Sequence, residues 1–467
     1  MEEIVLFGAS KLGEIAFEHL RNKYNIIAFI DNDKNKWGKN INEIEVLNPE
    51  CIKNNKSYKV IITSAYYLEI IDQLNKLGIE DIEIYFSNNM SNGFHLEKIV
   101  EVNINKSKGS NILLIISFYS IYIEEYIKNI YSEYKIKVDI LTRDKLYLER
   151  IDLRYVNNIY YYNNYEVFSK IIRCNQYQCI HLHYVEQMYC KVATVIRENC
   201  KRFIITYWGS DFYRQTNNDR ILEKKMLNDA DTITFDNESM LKEFCTELGD
   251  DFRSKCVIKR FGLSALDYIK NNKTDIIQIK RENNIPEDKI IIMCGYNGKK
   301  EQNHIPLIKS IVKLDPVIKE KIYLVVPMTY GVLEYGYVLQ IKEMLEEGNI
   351  QFKILEKFMD FVEISNLTKI VDIMIHVQTT DSLSATMLEH LYAGNIVIAG
   401  NWLPYDELKN MNVEFISIDI MEDITYKISG IVNNIDEERK KYEVNSKIIY
   451  ELSSWNNNVS KWNELYI

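Results

Sequence analysis

Proline and glycine are both in short supply in this chain, at 6 and 17 of 467 residues. That scarcity excludes collagen-like repeats and long Gly/Pro-rich linkers, and confines disorder to short joints. A basic surplus is missing too: the formal net charge is -10, which gives no general electrostatic reason to bind nucleic acid, whose recognition rests on Lys and Arg neutralising phosphates. The eight cysteines contain no Cys-x-x-Cys pair and no Cys/His cluster at zinc spacing, so reduced thiols and no metal site are expected. No apolar run approaches the roughly 20 residues that span a bilayer. The opening Met1-Glu2-Glu3-Ile4 has the wrong charge and length for a signal peptide. A cytoplasmic protein is the expectation, with peripheral attachment at the inner face of a membrane left open and the oligomeric state unassigned.

What is present is a globular composition, 46% hydrophobic and 27% charged, in a chain too long for a single core. Alternating strand and helix signals fall into three blocks, so the expected class is α/β. In the first, residues 1–90, strands are expected at 4–7, 26–30, 59–63 and 82–85, with a helix over 67–77. Residues 91–110 are polar, with Gly93 and Gly109, and read as a linker. The second block, 111–270, opens on Asn111-Ile112-Leu113-Leu114-Ile115-Ile116 and adds strands at 137–141, 179–182, 202–206 and 232–235. A third block, 271–436, repeats the alternation with strands at 289–293, 322–326, 370–376 and 395–399. Residues 437–467 are helical in pattern, carry Trp455 and Trp462, and are expected to pack back across the two halves. Successive α/β halves imply a cleft at the carboxyl ends of their strands, where such folds hold ligands.

Four segments bear chemistry. Asp381-Ser382-Leu383-Ser384-Ala385-Thr386-Met387-Leu388-Glu389 reads as a loop entering a helix near Ser384, followed by Ala393-Gly394 and a buried strand. Backbone amides of the helix start, at Ser384, Ala385 and Thr386, suit a diphosphate. Asp381 and Glu389, eight positions apart, lie at different depths. An N-cap and an ordinary buried glutamate are the plain alternative. Gly295-Tyr296-Asn297-Gly298-Lys299-Lys300, after a strand and before a helix containing His304, offers amides and cations to phosphates, with Asn297 beside them. Arg260 sits at the junction of the second and third blocks. Strand 179–182 aims His183 at the loop region, where imidazole suits proton transfer near neutral pH and hydrogen bonding to a sugar, with a lone structural histidine as the alternative. The run Thr206-Tyr207-Trp208-Gly209-Ser210-Asp211 joins an aromatic platform, a flexible glycine and a carboxylate, a combination that fits sugar faces and hydroxyls. Asp211 is the general-base candidate, with a helix N-cap as its alternative.

The segment from Asp381 to Glu389 resembles the acidic-x7-acidic signature of the glycogen-synthase-like and sucrose-synthase-like group of retaining GT-B glycosyltransferases, built from two Rossmann-like domains. The resemblance implies that the acid at 381 lies near a donor sugar and the acid at 389 holds the nucleotide ribose. It also implies that Arg260, Asn297, Lys299, Lys300, His304 and residues 384–386 serve the donor, His183 and Asp211 the chemistry, and Trp208 and Gly209 the acceptor. Asp replaces the usual Glu at 381, and the Gly-Phe-Gly that commonly follows is absent. Gly295-Tyr296-Asn297-Gly298, Asn303-His304-Ile305 and Val325-Val326-Pro327-Met328-Thr329-Tyr330-Gly331 look like segments of the inverting fucosamine transferase of enterobacterial common antigen. Retention and inversion therefore both stay open. The implied function is transfer from a nucleotide-sugar to a glycan, lipid-linked or protein acceptor in bacterial surface-polysaccharide or glycoconjugate synthesis, of hexosyltransferase type and needing no metal or other cofactor.

The first block has its own signature. Gly8-Ala9-Ser10-Lys11-Leu12-Gly13 after a strand, with Asp31 ending the next, approximates the dinucleotide fingerprint, with Ser10 in place of its middle glycine. It resembles small Rossmann-like domains fused to sugar-modifying enzymes, and Gly8, Ser10, Gly13 and Asp31 are candidates for a nucleotide or NAD-like ligand. Two other readings stand: a nucleotide-sugar oxidoreductase or epimerase centred there, which lacks a Tyr-x-x-x-Lys pair, and a non-catalytic nucleotide-binding scaffold on a degenerate GT-B fold.

Overall fold

The computed structural model describes residues 1–54, 58–88, 93–99, 110–331 and 335–466. Among them, strands rich in Ile, Val and Leu assemble three sheets. The first holds β1 (Glu3–Phe7), β2 (Asn25–Ile30), β3 (Asn40–Ile41), β4 (Ile44–Leu47), β5 (Lys59–Ile62), β6 (Ile82–Asn88) and β7 (Gly93–Lys98), in the order β3-β4-β2-β1-β5-β6-β7. Its centre is parallel, while β3 and β7 pair antiparallel with β4 and β6. The expected linker is thus corrected in part. Phe94, Leu96 and Lys98 alternate along a real edge strand that pairs with β6, a period-2 pattern hidden by the polar residues around it. Residues 100–109 of that expected linker lie outside the described residues.

The second sheet contains β8 (Ile112–Ile116), β9 (Val138–Thr142), β10 (Val156–Tyr161), β11 (Tyr177–His183), β12 (Cys200–Thr206), β13 (Thr232–Phe235) and β14 (Cys256–Ile258). Its order is β10-β9-β8-β11-β12-β13-β14. The third contains β15 (Ile290–Cys294), β16 (Ile322–Pro327), β17 (Phe352–Leu355), β18 (Ile373–His376), β19 (Ile396–Gly400) and β20 (Ile416–Ile418), ordered β17-β16-β15-β18-β19-β20. All pairings in both are parallel. Parallel strands are covered on both faces by helices, which is why β8 and β19 are buried at every position. Strand order reverses between β8 and β11 and again between β15 and β18, and the loops leaving those strands open the crevices where doubly wound sheets take ligands.

The C-terminal helices tie the two halves together. Helix Asn445–Ser453 packs on the third unit's core through Ile449 and Leu452, whereas Trp455, Trp462 and Leu465 bury themselves in the second. Trp462 Nε1 donates to the Arg260 carbonyl at 2.8 Å, and Trp455 lies so close to Gly262 that a Cβ there would come within 2.3 Å of its ring. The first sheet is joined to the second as well, sharing one apolar cluster with it and adding the Lys191–Glu69 and Lys145–Glu97 ion pairs. The eight cysteines are free. No described helix is long and apolar enough to cross a membrane.

Candidate active site

The loops after β12, β13 and β14 face the loops after β15 and β18 across a cavity of about 230 Å³. Trp208, Asp236 and Arg260 line it from one half, and Tyr296, Asp381 and residues 384–386 from the other. A smaller cavity, about 150 Å³, continues past Asp381 and Ser382 toward Arg214, Asn297 and Lys299. Ser382 stands between the two and reaches across. Its Oγ donates to Asp236 Oδ1 and accepts from Asn237 Nδ2 at 2.9 Å. Gly209, at φ +102°, makes this approach feasible, since a Cβ there would lie 2.7 Å from Ser382 Cβ.

Helix Ala385–Tyr392 begins at the cavity wall. Ser384 caps it by accepting from Met387 N, while the first-turn amides at 385 and 386 have no intrahelical partner. Asp381 is held in the loop before it, its Oδ2 receiving Tyr405 Oη and lying 3.1 Å from His376 Nε2. About one turn into the helix, Glu389 is 4% exposed, and no described residue donates a hydrogen bond to its carboxylate. Burial alone pushes its pKa up to about 8. Tyr122 and Tyr330, which line the cavity, have phenols raised first by their own burial and next, or after a hydrogen bond to Asn297 in the case of Tyr330, by the Glu389 charge. A buried acid with no donors, beside a cavity, has unused capacity to accept hydrogen bonds.

Several expected site residues are placed elsewhere. His183 is fully buried among Tyr126, His181, Trp208, Phe261 and Trp462, and neither ring nitrogen has a partner. Burial drives its pKa down to about 3, so the ring is neutral and closed off from the cavity by Trp208 and Phe261; its expected role as a proton carrier is corrected. Asp211 is also corrected. Its oxygens accept from Trp208 N at 2.8 Å and Val185 N at 2.9 Å, tying the loops after β11 and β12 together, and it lines neither cavity. Burial lifts its pKa to about 7 against those two hydrogen bonds. Gly209 serves the contact between halves rather than offering an acceptor surface.

Of the expected donor cations, Lys299 lines the smaller cavity, but Lys300 flanks a separate depression beside Ile305 and Tyr337. His304 is buried beneath Gly295, its Nδ1 3.2 Å from Tyr337 Oη, burial lowers its pKa to about 4, and it lines neither cavity. Arg260 pairs with Glu407 while its Nε stays unpartnered. Asp236 was not anticipated, although an acid directly after the buried strand Thr232–Phe235 carries the same signal that singled out His183.

In the first sheet, Gly8 (φ +129°) and Gly13 let the loop and helix Lys11–Leu20 close on each other: a Cβ on Gly13 would lie 2.0 Å from the Gly8 carbonyl. Asp31 is already engaged, accepting from Ala9 N, Asp33 N and Lys36 Nζ at 2.8–2.9 Å. Burial raises its pKa, yet those three donors together hold it below the ordinary value. Ser10 is exposed and its side chain makes no cap. Among the described residues, no group of three His, Cys, Asp or Glu side chains is arranged to hold a metal ion.

Residues 1–85 match the family described as C2185-like, N-terminal, and residues 111–237 match glycosyl transferase 4-like. No curated protein matches the sequence. Among solved structures, a glycosyltransferase from Rickettsia africae is similar with a TM-score of 0.63 and 16% identity over 77% of this chain and 98% of that one. Anabaena HepE in complex with UDP and glucose has a TM-score of 0.63 and 11% identity over 76% and 98%. Sucrose-phosphate synthase from Thermosynechococcus elongatus follows at 0.62 and 13%, over 76% and 98%. The fold formed by the second and third sheets is GT-B.

Proposed function

We propose that this chain is a glycosyltransferase that binds a nucleotide-sugar on the third-sheet side of the cleft and transfers the sugar to a hydroxyl of a glycan, lipid-linked or protein acceptor. Glu389 is the observation that carries the reading: a buried carboxylate without donors, eight positions after Asp381 and just behind a helix start with free amides. Ribose hydroxyls supply the missing donors, each charge-assisted hydrogen bond contributing about 1.5–3 kcal/mol. The diphosphate meets the amides of Ala385 and Thr386, with Lys299 and Arg260 as the cations within reach. Helix dipole and cations together answer the leaving charge, which makes the proposed chemistry metal-independent. Complexes of HepE with UDP and with UDP-glucose support a nucleotide-sugar donor.

A hexose or hexosamine donor, a role in bacterial surface-polysaccharide or glycoconjugate assembly, and action at the inner face of the membrane belong to the same proposal. The first domain is read as an accessory module, because its one candidate ribose ligand, Asp31, is spent on its own loop. Incubating the purified full chain with UDP-, GDP-, dTDP- and CMP-sugars and following nucleotide release tests the reading. Release from at least one donor, lost on Glu389→Ala, is the expected result; binding of no nucleotide-sugar at all contradicts it.

A further inference from the structure

A sugar joined to a diphosphate at the amides of residues 385 and 386 leaves the helix start past Asp381, the one acid among the described residues that lines both cavities. The smaller cavity offers what a sugar ring takes: aromatic faces from Trp208, Tyr213 and Tyr296, and hydrogen-bonding side chains from Asn297, Gln378 and Thr380. A carboxylate on a loop reads the position of a hydroxyl only when its own torsions are fixed. For Asp381 they are fixed from behind.

His376 ends β18 and is fully buried, and Tyr405, in the loop after β19, is 1% exposed. Tyr405 Oη donates to Asp381 Oδ2, and His376 Nε2 lies 2.7 Å from Tyr405 Oη and 3.1 Å from the same Oδ2. Both neighbours of Nε2 are oxygens able to accept, while Nδ1 is buried without a partner, which assigns the ring proton to Nε2. Burial, and then the Asp381 charge, raise the Tyr405 pKa well above its ordinary value, so the phenol keeps its proton and remains a donor. Imidazole and phenol thus converge on Oδ2. Tyr296 covers the imidazole, its ring stacked at 5.9 Å and 18°, and is anchored by its amide to Gln302 Oε1 at 3.1 Å and by its hydroxyl to Gln378 Oε1 at 3.3 Å. No described residue donates to Asp381 Oδ1. With Oδ2 occupied, Oδ1 is the oxygen left to accept from a ligand, on a side chain only 12% exposed.

We propose that His376 and Tyr405 are positioning residues that present Asp381 Oδ1 as a fixed acceptor for one hydroxyl of the transferred sugar, which makes the site selective for donors carrying that hydroxyl. This rests on the glycosyltransferase reading above and on its placing of the diphosphate. Neither residue touches substrate; both act through Asp381. A donor lacking the hydroxyl leaves a sheltered carboxylate oxygen unpaired, and a rigid polar site rejects such an analogue more sharply than one whose acid is free to turn elsewhere.

The test takes the full chain, whichever nucleotide-sugar of the UDP, GDP, dTDP and CMP panel it binds, the matching nucleoside diphosphate, and the monodeoxy analogues of that sugar donor. By calorimetry, the wild type should bind one monodeoxy donor about tenfold more weakly than its parent. Tyr405→Phe keeps the ring and removes one donor. It should cut that discrimination to about threefold or less by weakening the parent donor, while affinity for the nucleoside diphosphate stays within about threefold of the wild type. His376→Gln, which keeps an N–H near the place of Nε2, should retain the discrimination, and His376→Leu should lose it. Undiminished discrimination in Tyr405→Phe, a nucleoside diphosphate affinity that falls in step with that of the donor, equal behaviour of the two His376 variants, or a wild type indifferent to every monodeoxy donor overturns the proposal. A wild-type chain that binds no member of the panel contradicts the glycosyltransferase reading itself.

Discussion

Two strand–loop–helix junctions in this molecule look alike in outline and differ in what their carboxylates do. At the first, Asp31 faces the loop between β1 and helix Lys11–Leu20 and accepts from Ala9, Asp33 and Lys36. At the other, Glu389 lies inside helix Ala385–Tyr392, behind a cavity, with burial and no donors. The first acid is stabilised as an ion by its own loop and holds that loop together. The second is kept mostly protonated at neutral pH by burial, and in the proposed reading the ribose of a ligand brings its donors. A motif that matches by residue type and spacing separates into scaffold and site only when the hydrogen-bond partners of its acid are counted.

The largest effect expected from this contrast is on affinity. Glu389→Gln should weaken nucleoside diphosphate binding about 100-fold, the loss of roughly 3 kcal/mol of charge-assisted bonding; calorimetric affinity unchanged by the substitution would erase the distinction. Asp211 sharpens it from the structural side. Asp211→Ala strips acceptors from Val185 N and Trp208 N and should destabilise the chain by about 2–3 kcal/mol, read from denaturant midpoints, with nucleotide affinity unaltered. Asp31→Asn should cost about 1–2 kcal/mol in the same measurement, again without changing affinity. The smallest change is Ser384→Ala, which removes a helix cap worth about 1 kcal/mol and should lower affinity only severalfold as the amides at 385 and 386 lose their fixed direction.

The α/β class and the strands at 4–7, 59–62 and 112–116 were legible because buried parallel strands read as near-continuous apolar runs, and 232–235 because its Thr, Ile and Phe are strand formers. Helix Tyr67–Leu77 was equally plain from its apolar period and the Gly78 cap. Strands β10, β14, β17 and β20, which the sequence reading missed, flank the sheet edges, where β10 mixes polar and aromatic residues and the others run only three or four residues. The expected strand over 370–376 is shorter, at Ile373–His376, because Ile370 ends the helix Phe361–Ile370 before it. At the site, the Asp381 to Glu389 segment was readable because strand, loop and helix are local in sequence. The fates of His183, Asp211 and Asp236 were not. Each depends on partners brought by other segments: Trp462 for the first, Val185 for the second, and Ser382, 146 positions away, for the third.

Proton linkage offers the most direct test of the cleft as the nucleotide site. With a pKa of about 8 in the free protein, Glu389 is about nine-tenths protonated at pH 7, and ribose donors that favour its ionised form must expel that proton on binding. Affinity should therefore rise with pH until about 8 and level off above it. Titrating the full chain with UDP, GDP and dTDP by calorimetry at pH 7, in two buffers of different ionisation enthalpy, measures the release. One site per chain that expels close to one proton, with the release abolished in Glu389→Gln and intact in Asp31→Asn, is the predicted result. Two sites per chain, or a release that survives Glu389→Gln and vanishes in Asp31→Asn, would contradict it.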